Sequence, residues 1–154
     1  MTPNLKPPTF GTYNLILSSP LQGKRRGLMK ILIVEDNEPL GALLARRLEK
    51  RGHQVIVSAE AGEAQTNAKT FQPGLILLEA QLRGGEDWAA ARRLKFDEQT
   101  QDIPILGLIA NASDAARALA VQNGCADLHG KPVDFPKLLR LIEATALSAV
   151  GSEP

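Results

Sequence analysis

Lys30-Ile31-Leu32-Ile33-Val34-Glu35-Asp36-Asn37 decides the fold. A short apolar run, rich in β-branched residues, ends abruptly on two acids. Unbroken apolar character, without alternation, is how a parallel strand buried on both faces reads. The period then changes. Between Asn37 and Arg51, Leu40, Leu43, Leu44 and Leu48 recur at helical spacing. Asp36 or Asn37 can cap that helix, Pro39 falls in its first turn, and Gly52 stands where a helix stops.

The same unit repeats outward from this stretch. The spacing predicts further strands over 54–57, 75–78, 103–108 and 126–128. It predicts further helices over 61–71, 86–95, 113–122 and 135–147, with Trp88, Ala91 and Leu94 facing inward in the third. Pro104 lies near a strand start, where proline is tolerated. Strands alternating with helices imply an α/β fold, a doubly wound five-stranded parallel sheet with helices on both faces. Such sheets bind at the carboxyl ends of their strands, near the point where strand order reverses.

Composition narrows the function classes. At 154 residues the chain fits one domain, large enough to fold without staples. Cys125 is the single cysteine, so no internal disulfide forms, and a small buried hydrophobe is the expectation for it. A lone cysteine without a secretion signal suits a reducing, cytoplasmic setting. The net charge is +1 and aromatics are 4%, which gives no reason to expect nucleic acid. No apolar run approaches the roughly 20 residues that span a membrane. Arg25-Arg26-Gly27-Leu28-Met29-Lys30 looks like a twin-arginine signal, but Glu35 and Asp36 cut off the apolar run behind it. Residues 1–28, with Pro3, Pro7, Pro8 and Pro20, read as a flexible extension ahead of a domain over 29–147, followed by a tail over 148–154. Leu15-Ile16-Leu17 is the one short strand candidate there, and Lys24-Arg25-Arg26 reads as a solvated basic run.

The strand ends carry the chemistry. The first strand presents Glu35 and Asp36, the third presents Glu79, and the fifth is followed by His129-Gly130-Lys131-Pro132. If the first and third strands are neighbours, three carboxylates converge. They repel one another, so a cation is expected among them. Mg²⁺ prefers oxygen ligands, and Lys131 can add a second positive charge. His53, opening a strand on the far side, is expected to be solvated, and His129 to be structural.

From about Met29 to Leu147 the chain resembles the receiver domain of two-component signalling, the CheY-like family. The motifs are Ile31-Leu32-Ile33-Val34-Glu35-Asp36-Asn37, Pro73-Gly74-Leu75-Ile76-Leu77-Leu78-Glu79, Ile103-Pro104-Ile105-Leu106 and Gly130-Lys131-Pro132-Val133-Asp134. The resemblance implies the flavodoxin-like strand order 2-1-3-4-5. It implies a Mg²⁺ site at Glu35, Asp36 and Glu79, held weakly or not at all here. It makes Glu79 the phospho-acceptor position, where the family has Asp. Ile109 stands at the switch position of a Thr or Ser, and Leu128 at that of an aromatic. Lys131 keeps the role of pairing with the phosphoryl group. Arg83-Gly84-Gly85 replaces a usual Pro-Gly, which loosens that loop.

These departures change the chemistry. Glu79 moves its carboxylate by about 1.5 Å relative to Asp, and a displacement of about 1 Å can cost ~10²-fold in a positioned reaction. Ile109 offers no hydroxyl. Three readings follow. One is an atypical receiver acting through protein contact without phosphorylation, with a Glu79–Lys131 ion pair that is either structural or an imitation of the phosphorylated state. The second is a weak Mg²⁺-dependent acceptor at Glu79. The third is a small flavodoxin-like ligand-binding domain, disfavoured because no glycine-rich loop follows the first strand. The expected partner is a kinase or downstream effector, met through the fourth helix, fifth strand and fifth helix over 113–147. Arg117, Gln122, Lys137 and Arg140 are candidate contacts, and the same face implies self-association as a homodimer. No length remains for an output domain, so output is expected to be contact alone.

Overall fold

The computed structural model describes residues 28–151, with side-chain burial described through Leu147. The expectations for residues 1–27 and 152–154, including the 15–17 strand and the 24–26 basic run, lie outside the described residues. In chain order the elements are β1 Lys30–Val34, α1 Glu38–Lys50, β2 Gln54–Ser58, α2 Ala61–Phe71, β3 Leu75–Glu79, α3 Ala89–Phe96, β4 Ile105–Ile109, α4 Asp114–Gln122, β5 Asp127–Gly130 and α5 Phe135–Gly151. The strands form one parallel sheet in the order β2-β1-β3-β4-β5. The chain leaves β1 to one side and β3 to the other. The crevice of the sheet therefore opens between the carboxyl ends of β1 and β3.

Successive side chains of a strand point to opposite faces. Leu32, Val34, Ile76 and Leu78 pack with Ala64, Ala68, Ala91 and Leu94 on one face. Ile31, Ile33, Leu75 and Leu77 pack with Leu44, Leu48, Leu138 and Ile142 on the other. Both faces are covered, which is why the strands read as continuous apolar runs. The caps come from the sequence as well. The Asn37 side chain accepts the Leu40 N–H at the start of α1, with a proline in the first turn, and Ser113 accepts the Ala116 N–H at the start of α4.

Four expectations need correction. The third helix begins at Ala89, not Glu86. Trp88 adopts a left-handed conformation (φ 64°), and its N–H donates to the Ala80 carbonyl at 3.0 Å, which closes residues 81–87 into a loop. Trp88 does face inward, as do Ala91 and Leu94, so its apolar phase extended the helical pattern backward into the loop. The fourth strand begins at Ile105. Ile103 is buried but donates its N–H to Thr100 in a turn. His53 is buried rather than solvated, because its Nδ1 accepts the Met29 N–H at 3.2 Å at the entry to β1. His129 is structural as expected: it is buried, and its Nε2 accepts the Asp134 N–H at 3.1 Å. Cys125 is buried too, which pushes its thiol up to about 12. The last helix continues to Gly151, past the expected boundary at Leu147 and into the expected tail over 148–154. Among the described residues, no helix is long and apolar enough to cross a membrane.

Candidate functional site

The register sets the site. Val34 pairs with Leu78, so Glu35 and Glu79 leave neighbouring strands at one level. Ile109 pairs with Gly130, and the Lys131 N–H donates to the Ile109 carbonyl at 2.8 Å. Lys131 thus starts at the end of β5, and its long flexible stem carries the ammonium past β4 to β3 and β1. There it forms a hydrogen-bonded ion pair with Glu79 Oε1. Its Nζ also lies 3.0 Å from Glu35 Oε1, out of line for a hydrogen bond.

The other oxygens are occupied by backbone. Glu35 Oε2 accepts the Asn37 N–H at 3.1 Å, and Glu79 Oε2 accepts the Gln81 N–H at 2.8 Å. Each glutamate therefore curls back to close its own loop and turns its remaining oxygen to Lys131. Both are buried, at 2% and 5% exposure, so the ammonium is the charge that compensates them. Burial pushes the Glu35 carboxyl above its ordinary range, against the pull of the Asn37 N–H and of Lys131. Burial pulls the Lys131 ammonium downward, but Glu79 and Glu35 outweigh it and hold it net above the ordinary lysine value.

Asp36 goes elsewhere. Its Oδ2 accepts the Arg83 N–H at 2.8 Å, with the Arg83 guanidinium 3.7 Å away. The expected three-carboxylate cluster is thus a two-carboxylate cluster built on Lys131. Carboxylate oxygens are the right donors for Mg²⁺, but this arrangement does not fit the ion. Both inward oxygens face an ammonium, both outward ones accept N–H groups, and Asp36 points to the β3–α3 loop. Among the described residues, no three His, Cys, Asp or Glu side chains stand together as a metal site.

Ile109 and Leu128, the expected switch positions, lie at the end of β4 and within β5. Ile109 is half-buried at the end of β4, and Leu128 is 1% exposed. Sequence reasoning missed what sits beside Leu128. Gly107 faces the Trp88 indole so closely that a Cβ there would stand 2.5 Å from its ring, and 3.1 Å from Leu128. Trp88 and Leu128 fill the space over Gly107 together. The signal was the glycine inside an otherwise bulky strand, which marks a close approach. Arg83 was also underread, since its backbone rather than its charge captures Asp36. Arg117, Gln122, Lys137 and Arg140 are all exposed, and Arg117 pairs with Asp127.

Comparison with known proteins agrees with this geometry. Residues 31–143 match the family model described as the response regulator receiver domain. The chain is similar to protein PilH of Pseudomonas aeruginosa, 30% identical over 117 residues, covering 76% of this chain and 97% of that one. It is 32% identical to the phosphate regulon transcriptional regulatory protein PhoB of Rhizobium meliloti over 76% of this chain, but spans only 52% of that protein. Among solved structures, the non-phosphorylated HemR receiver domain from Leptospira biflexa is 29% identical with a TM-score of 0.68, covering 76% of this chain and 93% of that one. The chemotaxis protein CheY4 of Vibrio cholerae shares the fold, at 19% identity and a TM-score of 0.72, over 77% and 98% of the two chains. Strand order, crevice, acidic strand ends and the lysine after β5 all fall within the matched stretch, and the chain belongs to the response regulator receiver family.

Proposed function

We propose that this receiver works as a phosphorylation-independent protein-binding module in two-component-type signalling, not as an enzyme. One observation carries the reading: both oxygens of Glu79 are engaged, one by the Gln81 N–H and one by Lys131. A nucleophile must present a free lone pair in line with the phosphorus, and phosphoryl transfer depends on that positioning. Each oxygen keeps a second lone pair, but the two contacts fix the carboxylate's orientation, so swinging it in line with phosphorus works against a buried ion pair. The side chains around it support the same reading. Ile109 gives a phosphoryl oxygen no hydroxyl, and Leu128 is already packed under Trp88. A ligand shifts an equilibrium only through contacts that differ between two states, and these residues offer no such difference.

The proposed output face is α4, β5 and α5. Besides the exposed polar residues, α4 presents Leu119 and Val121, 47% and 54% exposed, which suits a partner or a second copy. The competing reading is slow phosphorylation of Glu79, and it is favoured by Lys131 standing where a phosphoryl group is paired. Intact mass after incubation with Mg²⁺ and a small acyl phosphate separates the two. The expected outcome is unmodified protein, with labelling of a Glu79→Asp/Ile109→Thr variant. Wild type gaining one phosphoryl group that Glu79→Gln does not gain would establish the competing reading. A ligand-binding role is disfavoured at the strand ends, where Glu35, Lys131 and Glu79 engage one another.

A further inference from the structure

A groove of about 550 Å³ lies between α1 and α5, away from the strand ends. Leu43, Phe135, Pro136 and Leu139 give it an apolar lining, and Arg46, Arg47, Lys50 and Arg51 complete its wall. Leu43 is 43% exposed, whereas Leu44 and Leu48 on the same helix are buried against the sheet. All four cations are exposed.

Charge balance sets this groove apart. The whole chain carries only +1. Elsewhere five basic side chains find acids: Lys69 with Asp97, Arg83 with Asp36, Arg92 with Glu86, Arg117 with Asp127, and Lys131 with both site glutamates. Lys30, Arg93, Lys95, Lys137 and Arg140 lie outside the groove, on β1, α3 and α5, and do not gather around an apolar lining. Among the described residues, none of Arg46, Arg47, Lys50 and Arg51 forms an ion pair. Glu49 and Glu143 lie on the same two helices and leave these cations unpaired. Four uncompensated cations around an apolar lining raise the local potential and invite an anionic partner with an apolar face.

We infer that this groove docks an acidic amphipathic segment of a partner protein. The apolar lining takes that segment's apolar side chains, and the arginine forks and Lys50 take its carboxylates. Other occupants fit less well. The chain's own residues 1–27 contain no Asp or Glu and carry Lys6, Lys24, Arg25 and Arg26, so they are repelled. Nucleic acid lacks a stacking platform, because the guanidinium of Arg47 already lies 5.1 Å from the Phe135 ring centre, over its face. The inference does not depend on whether Glu79 accepts a phosphoryl group, and the labelling experiment above is silent about it.

The probe is a fluorescein-labelled peptide of roughly 18 residues with Glu and Leu at helical spacing, titrated with the full chain and read by anisotropy. Binding is expected, weakening steadily as salt rises from about 50 to 300 mM. A scrambled peptide without an apolar face should bind more weakly. Arg47→Glu/Lys50→Glu should lose at least about tenfold in affinity, with Arg93→Glu, an exposed charge reversal on α3, as the unaffected control. Circular dichroism confirms that the variant is folded, and Lys50→Gln/Arg51→Gln stands in if it is not. No binding, or binding indifferent to both double variants, overturns the inference. So does tighter binding to a DNA duplex or to phosphatidylserine vesicles, or a dimer in sedimentation that Arg47→Glu/Lys50→Glu dissociates.

Discussion

Lys131 is the residue on which the site turns. Two buried carboxylates depend on its ammonium, and removing one partner of a buried charge cluster costs about 3–5 kcal/mol. Lys131→Met is therefore expected to lower stability by about 3 kcal/mol near neutral pH, measured by urea denaturation. The deficit should shrink in acid. The Glu35 carboxyl lies above its ordinary value of 4.5 in the fold, so the fold favours its protonated form. Its contribution is best below 4.5 and declines as pH rises through the folded value. Without Lys131 the Glu35 carboxyl takes up a proton more readily, so acid relieves the variant more than wild type. Gly107 is the second decisive residue. Gly107→Ala places a methyl against the Trp88 indole and should cost about 1–3 kcal/mol. Trp88 is the single tryptophan, so its fluorescence reports the displacement directly. The identities of Glu35, Asp36, Glu79 and Lys131 were legible because each follows a strand. Where their carboxylates point was not. Glutamate is long enough to curl back to the N–H two residues on, and only the register shows that Lys131 reaches both.

Elements follow local chemistry where caps are strong. The Asn37 cap of α1 was visible beforehand, and Asn37→Ala should cost about 1 kcal/mol of stability. The start of α3 was not visible, because Trp88 satisfies the apolar period while its backbone has left the helix. Positive φ at a bulky residue is set by its seat over Gly107, a contact between distant parts of the chain. The two histidines join elements in a way that depends on pH. Each accepts a backbone N–H on a ring nitrogen, His53 from Met29 and His129 from Asp134, and a protonated imidazole cannot accept there. Burial lowers both below 6.5. A depressed histidine contributes stability that is complete above 6.5 and lost as pH falls through the folded value. His53→Gln/His129→Gln should flatten the change in urea midpoint between about pH 7.5 and 5.5. An unchanged slope would assign that pH dependence to other groups.

At the scale of the molecule, the sheet order puts the acidic crevice at the switch point and, among the described residues, leaves two helical surfaces exposed. The alternation of strands and helices was enough to read a doubly wound parallel sheet, while its strand order came from the family resemblance. The α1–α5 groove was not legible, because its cations lie on one helix and most of its apolar lining on another some 85 residues later. The proposed function makes the crevice a fixed strut and the outer helices the working surfaces. The most direct test is the amide NMR spectrum of the full chain, with and without Mg²⁺ and beryllofluoride, a phosphoryl mimic. If the Glu35–Lys131–Glu79 cluster is a fixed strut, the amides of Glu79, Ile109, Leu128 and Lys131 will stay where they are. A saturable shift at those amides that spreads through α4 and β5 would show a working phospho-switch and contradict the proposal.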